Sequence, residues 1–224
     1  MTGTHELVFL FDVDNTLLDN DHVERDLRQH LSQTFSAQAK ERYFEIFEQI
    51  RHDIGYADFL GTLEQYRIEK MHDPRVLGMS IWLVDYPFAQ RLYPDALDVI
   101  HHVRHWGVPV ILSDGDAVFQ PRKVEQAGLW EAFKGHVLIY IHKETILEDV
   151  EKFYPAEHYV MVDDKLRLLA AIKQFWGQRV TTVFVKQGHY ASDPDTLSRY
   201  PAADIQVDRI GDLLNYDRAA FLKK

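Results

Sequence analysis

An unbroken apolar run, Leu7-Val8-Phe9-Leu10-Phe11, ends abruptly in Asp12-Val13-Asp14-Asn15-Thr16-Leu17-Leu18. A short run of this kind predicts a strand buried on both faces, as in a parallel sheet. Charged residues do not sit inside such a strand, so Asp12 and Asp14 mark its carboxyl end, where open α/β sheets bind ligands. If extension continues, both carboxylates point to one side and Val13 to the other. From Asp21 to about Phe88 strand rhythm is almost absent. Ser36 is set to cap a helix carrying Phe44, Phe47 and Ile50, and Gly55 interrupts it. Phe59, Leu60, Leu63, Tyr66 and Ile68 give a second helix within Tyr56–Met71, and Asp73-Pro74 starts a third. This helical block of roughly 70 residues reaches the lower size limit of small domains. Its aromatic and histidine side chains fit packing better than ligand contact.

From Tyr93 helix and strand alternate. A helix from Pro94 through Trp106 is ended by Gly107, and the strand Val108–Leu112 stops at Ser113-Asp114-Gly115-Asp116. A helix over Ala117–Ala127 leads to the strand His136–Ile141, which stops at His142-Lys143-Glu144. Thr145–Phe153 is helical, Tyr159–Val162 a strand ending at Asp163-Asp164, Leu166–Trp176 a helix, and Val180–Val185 and Ala203–Val207 the last strands. Such alternation predicts right-handed βαβ units and a parallel sheet covered by helices on both faces.

Composition narrows the function. The 224 residues suffice for one large domain or a core with an insert. A formal charge of −10 argues against nucleic acid as a partner, since that affinity comes from phosphate contacts. Without cysteine there is no disulfide, thiolate metal site or Cys nucleophile. The first apolar run is too short and too soon broken by Asp12 for a signal peptide, and no run is long enough to span a bilayer. A cytoplasmic protein with no membrane partner is the expectation; oligomeric state is not legible.

Asp12/Asp14, Ser113, Lys143 and Asp163/Asp164 each follow an apolar run, and a parallel sheet brings those ends to one edge. Taken singly, each has an ordinary role: Asp and Asn close turns, Ser113 and Asp114 cap, Lys143 is solvated, and Asp163-Asp164 compensates a helix dipole. Together they suit phosphoryl chemistry. Asp12 is a carboxylate nucleophile, and Asp163 adds an acidic ligand to an all-oxygen set suited to Mg2+. Lys143 offsets charge on Asp12 and on phosphoryl oxygens, while Ser113 and the amides of Asp114 and Gly115 at a helix start bind phosphate. Asp14 serves as general acid and base.

This set resembles the haloacid dehalogenase (HAD) superfamily. Its first motif, Asp-x-Asp-x-Thr, stands as Asp12-Val13-Asp14-Asn15-Thr16, its second as Ser113, its third as Lys143 and its fourth as Asp163-Asp164. The resemblance implies an α/β fold: a Rossmann-like three-layer core (residues 1–18 and 90–224) with a parallel sheet, and an inserted all-α cap (residues 19–89). It implies an aspartyl-phosphate intermediate and Mg2+ held by Asp12, Asp163 and the backbone carbonyl of Asp14, with Asp164 nearby or in its place. A phosphatase acting on a small phosphomonoester is the expectation, and the alternatives are a phosphomutase or an idle binding protein on the same scaffold. The superfamily's dehalogenases lack an acid at the position of Asp14, and its phosphonate-cleaving members need a cap lysine, for which nothing marks Lys40 or Lys70. Two features depart from the pattern: Asp114 and Asp116 put acids beside the phosphate site, and no further acid follows Asp164. Gly55–Phe59 and Tyr86 are expected to face the substrate.

Overall fold

The computed structural model describes residues 3–70 and 73–222. The first apolar run is β1 (His5–Phe11). The helical block holds α1 (Asn20–Thr34), α2 (Ala37–Ile54), α3 (Phe59–Glu69) and α4 (Arg75–Val84). The sequence pattern did not single out α1, because only Val23, Leu27 and Leu31 form its buried stripe in an otherwise polar stretch. Ser36 caps α2 by accepting from the Ala39 amide at 3.1 Å. Gly55 ends it at φ +82°, a left-handed conformation open to glycine without steric cost. The next helix starts at Phe59, not Tyr56, because Asp58 accepts from the Gly61 amide at 2.7 Å and fixes the N-terminus there; Met71 lies outside the described residues.

Alternation then follows: α5 (Ala96–Val103), β2 (Val108–Asp114), α6 (Phe119–Gln126), α7 (Leu129–Ala132), β3 (Val137–Tyr140), α8 (Leu147–Phe153), β4 (Ala156–Asp163), α9 (Leu166–Trp176), β5 (Val180–Val185), α10 (Pro194–Arg199) and β6 (Ile205–Val207). Helix α5 stops at Val103 rather than Trp106, and a turn carries the chain to Gly107. That residue lies so close to β1 that a Cβ there would sit 2.4 Å from the Leu7 carbonyl oxygen.

The six strands form one parallel sheet in the order β3-β2-β1-β4-β5-β6. Alternation along β1 sends Leu7, Phe9 and Phe11 into one apolar layer and Val8 and Leu10 into the other. The first layer includes α5 and α6 and continues into the helical block; the second is closed by α8 and α9. The result is a three-layer α/β fold of Rossmann type. Aromatic rings join the helical block to α6: Phe47 stacks on Phe59 at 4.9 Å within the block, and Phe119 of α6 meets Phe59 tilted at 5.4 Å and Phe88 edge-on at 5.7 Å. Edge strand β3 is only half-buried along its length, as its unpaired side dictates.

Register aligns the strand ends. Phe11 lies opposite Ile111 of β2 and Val162 of β4, so Asp12, Ser113 and Asp163 emerge together. Strands β1 and β4 are where the strand order reverses, the switch point at which such sheets open a crevice. No helix among the described residues is long and apolar enough to cross a membrane.

Candidate active site

Asp12 leaves β1 buried, its amide donating to the Val162 carbonyl at 3.0 Å. Lys143 reaches it from beyond β3, with Nζ 2.6 Å from Asp12 Oδ1, 2.7 Å from Asp163 Oδ2 and 3.2 Å from the Leu112 carbonyl oxygen. Burial alone would lower the pKa of this ammonium, but Asp12, Asp163 and Asp114 outweigh it and hold the group charged. His142 just before it adopts φ +59°, uncommon for a side chain of this kind. Asp114 accepts from the Lys143 amide at 2.8 Å and pins the turn.

Oxygens of Asp12, Asp163 and Asp164 lie within 4.8 Å of one another, all buried. Lys143 neutralises part of this cluster. Among the described residues neither Asp164 oxygen has a hydrogen-bond partner, and Asp163 Oδ2 faces Lys143 as an ion pair without hydrogen-bond alignment. Burial first, then the neighbouring carboxylates, push Asp163 up in pKa and Asp164 well up. Orphaned buried oxygens are costly unless something fills the gap, and an all-oxygen set with surplus negative charge fits a hard divalent cation. Of the four acids expected here, Asp12, Asp163 and Asp164 form the cluster, whereas the Asp14 carboxylate turns elsewhere.

Asp14 meets Lys123 of α6, whose Nζ lies 2.7 and 3.0 Å from its two oxygens and 3.0 Å from Asn20 Oδ1. Gln120, one turn earlier, donates to Ser113 Oγ at 3.0 Å and approaches Asp14 Oδ2 at 3.4 Å. The buried Ser113 hydroxyl accepts from Gln120 through one lone pair and itself donates to the Asp114 carbonyl at a long 3.4 Å. Neither Gln120 nor Lys123 was singled out from sequence. Both are buried polar residues on a helix face, and in sequence that face is indistinguishable from a solvated one.

The motif loop is braced from outside. Asn15, at φ +60°, exchanges hydrogen bonds with Asp21: its Nδ2 donates to Asp21 Oδ1 at 2.9 Å and its Oδ1 accepts from the Asp21 amide at 3.1 Å. His189 Nδ1 is 2.7 Å from Asp21 Oδ1, and the His189 amide donates to Oδ2 at 2.8 Å. Burial raises the Asp21 carboxyl, but these bonds from His189 and Asn15 outweigh it and hold the pKa below the ordinary value.

Several expectations change in detail. Asp114 and Asp116 turn onto the backbone, the latter accepting from the amides of Val118 and Phe119 at 2.8 and 2.7 Å, so neither carboxylate need oppose an anion. Helix α6 starts only at Phe119, so Asp114 and Gly115 are not at its N-terminus, and the Gly115 amide instead donates to the Tyr140 carbonyl at 3.0 Å. Tyr86 does not face the site: it is buried, hydrogen-bonded to Asp26 and accepting from Arg91 Nε at 2.7 Å. Lys40 pairs with Glu41 and Lys70 is exposed. Gly55, Tyr56, Ala57 and Phe59 do line a cavity of about 320 Å³ that also takes in Asp14, Asp114, Gln120 and Lys123. The helical block thus forms one wall of the cavity and the sheet edge the other.

A family model described as haloacid dehalogenase-like hydrolase matches residues 7–175. A crystal structure of a haloacid dehalogenase-like hydrolase from Burkholderia xenovorans is 58% identical, with a TM-score of 0.92, covering 96% of this chain and 98% of that one. The L-2-haloacid dehalogenase of Xanthobacter autotrophicus is similar at 19% identity and TM-score 0.61, over 93% of this chain and 96% of its own. The HAD-hydrolase YfnB of Bacillus subtilis, solved with magnesium bound, is similar at 16% identity and TM-score 0.63, over 96% and 100%. No curated protein matches the sequence significantly.

Proposed function

The chain belongs to the haloacid dehalogenase-like hydrolases, and from that premise we propose that it is a Mg2+-dependent phosphatase of small phosphomonoesters. The observation that carries this reading is the division between two aspartates two residues apart: Lys143 holds Asp12 at the acidic cluster, and Lys123 draws Asp14 toward the open cavity. An alkoxide leaving group needs a proton donor beside the nucleophile, whereas a departing halide does not.

Asp12 attacks phosphorus and forms an aspartyl phosphate as the ester P–O bond breaks. Asp14 gives its proton to the departing oxygen. It then takes one from the water that attacks the phosphoryl group, releasing inorganic phosphate and the Asp12 carboxylate. Ser113 and Lys143 donate to the phosphoryl oxygens as charge shifts among them. Asp12, Asp163 and Asp164, with the Asp14 carbonyl, would hold Mg2+, which when bound offsets repulsion between carboxylate and phosphate. The block at residues 19–89 acts as a cap, limiting water and contacting the part of the substrate away from phosphorus.

An aryl phosphate assay tests this. Wild-type protein with Mg2+ should release phosphate and, when quenched, show one phosphoryl group on Asp12 by mass spectrometry; Asp12→Asn should do neither. Turnover retained by Asp12→Asn refutes the nucleophile. Interconversion of phosphate isomers without release would instead identify a mutase, and inactivity across a broad phosphate panel a binding protein.

A further inference from the structure

Arg51, near the end of α2, and Lys165, just ahead of α9, converge on one ring. Arg51 donates to the Tyr190 hydroxyl with its guanidinium carbon 5.8 Å from the ring centroid, and Lys165 Nζ lies 5.1 Å from the same centroid. All three line the cavity, and Arg199 adds a further cation. Most acids nearby are already engaged: Asp14 by Lys123, Glu24 by Arg28, and Asp12 and Asp163 by Lys143; Asp164 acts on Lys165 through its charge, without an ion-pair or hydrogen-bond contact among the described residues. Among the described residues the one acid that Arg51 pairs with is Glu48, at 3.5 Å and one turn back.

Gathering cations around one phenol is unfavourable in itself, since like charges repel across a cavity wall, and the ring face offsets only part of that cost. Nor does the scissile phosphate account for them, because Lys143 and Ser113 already serve it. The formal charge of −10 makes this local excess of positive charge more specific. Resting on the phosphatase reading, we propose that the substrate carries a second anionic group, a carboxylate or a second phosphate, seated between Arg51 and Lys165 against Tyr190. Arg51 comes from the helical block and Lys165 and Tyr190 from the core, so this anion also ties the two together.

Two sets of phosphate esters test the proposal, with two- and four-carbon chains ending in carboxylate, phosphate, methyl or ammonium. Phosphate release with Mg2+ should give kcat/KM at least tenfold higher for an anionic tail than for methyl in one set, with ammonium lowest. Which anionic tail leads distinguishes carboxylate from phosphate. Arg51→Met should shrink the anionic-to-methyl ratio roughly tenfold to a hundredfold, the scale of one charge-assisted hydrogen bond. Arg51→Glu should place ammonium ahead of carboxylate, a gain that misfolding cannot imitate. Release at equal rates whatever the tail, or a ratio unmoved by Arg51→Met, overturns the anion subsite alone. No release from any ester overturns the phosphatase reading and the subsite with it.

Discussion

Replacing Asp164 by Asn should stabilise the protein in chelator and weaken it relative to wild type in Mg2+. Oxygens of Asp12, Asp163 and Asp164 lie within 4.8 Å of one another. At such spacing and an effective dielectric near 20, each like-charged pair repels by about 3 kcal/mol. Lys143 relieves Asp12 and Asp163, but among the described residues neither Asp164 oxygen has a hydrogen-bond partner. The Asn amide would itself leave polar atoms unpaired at a cost of about 1–3 kcal/mol. A net gain of about 1–2 kcal/mol in EDTA is expected, a rise of about 2–8 °C in Tm for a chain of this size. Mg2+ at a hundred times its Kd adds about 2.7 kcal/mol to the wild type and little to the variant, so the order reverses. Calorimetry of both proteins in EDTA and in a Mg2+ series measures this directly. A wild type that Mg2+ does not stabilise would show that the cluster is not an ion site, and equal Mg2+ shifts in both proteins would remove Asp164 from the ligand set.

Three further perturbations probe the surroundings. Lys123→Met should lower kcat on an alkyl phosphate by roughly a hundredfold, the lower range for loss of a positioned acid, while Km changes little; an unchanged kcat would remove Lys123 from the reaction. Gly55→Ala combines a left-handed backbone with a Cβ 2.4 Å from His142 Cε1, so it should cost about 1–2 kcal/mol or more in urea unfolding. His142→Ala should recover only the steric share in the double variant, and full recovery would show that the backbone is unstrained. Asp21→Asn tests the clasp on Asn15 and His189. The folded-state pKa of Asp21 is depressed below 3.8, so its stabilisation is present above that value and is lost as pH falls through the depressed one. Wild type should therefore exceed the variant in Tm at neutral pH and converge with it in strong acid; a gap that persists or widens there refutes the ion pair.

The hydrophobic pattern alone determined the parallel sheet, because buried strands need uninterrupted apolar runs and their polar ends must lie outside. Asp12, Ser113, Lys143 and Asp163 were legible for the same reason: each follows such a run, and a parallel sheet brings those ends to one edge. The polar-rich α1 was not, since three apolar residues in fifteen give little amphipathic signal. Helix α10, in the segment between β5 and β6, was also unmarked; it has no fully buried residue.

Packing decided what each polar group does. Lys123 and Gln120 are buried because α6 lies between the sheet edge and the Phe59–Phe119–Phe88 seam, a relation between segments distant in sequence. Asp114 and Asp116 look like hazards for an anion in sequence, yet turn onto backbone amides in the fold. Tyr190 gathers Arg51 and Lys165 across 139 residues for Arg51, a distance no local pattern encodes. One residue type in one local setting can be a cap, a strut or a reacting group, and the tertiary structure chooses by fixing which partners share its buried space.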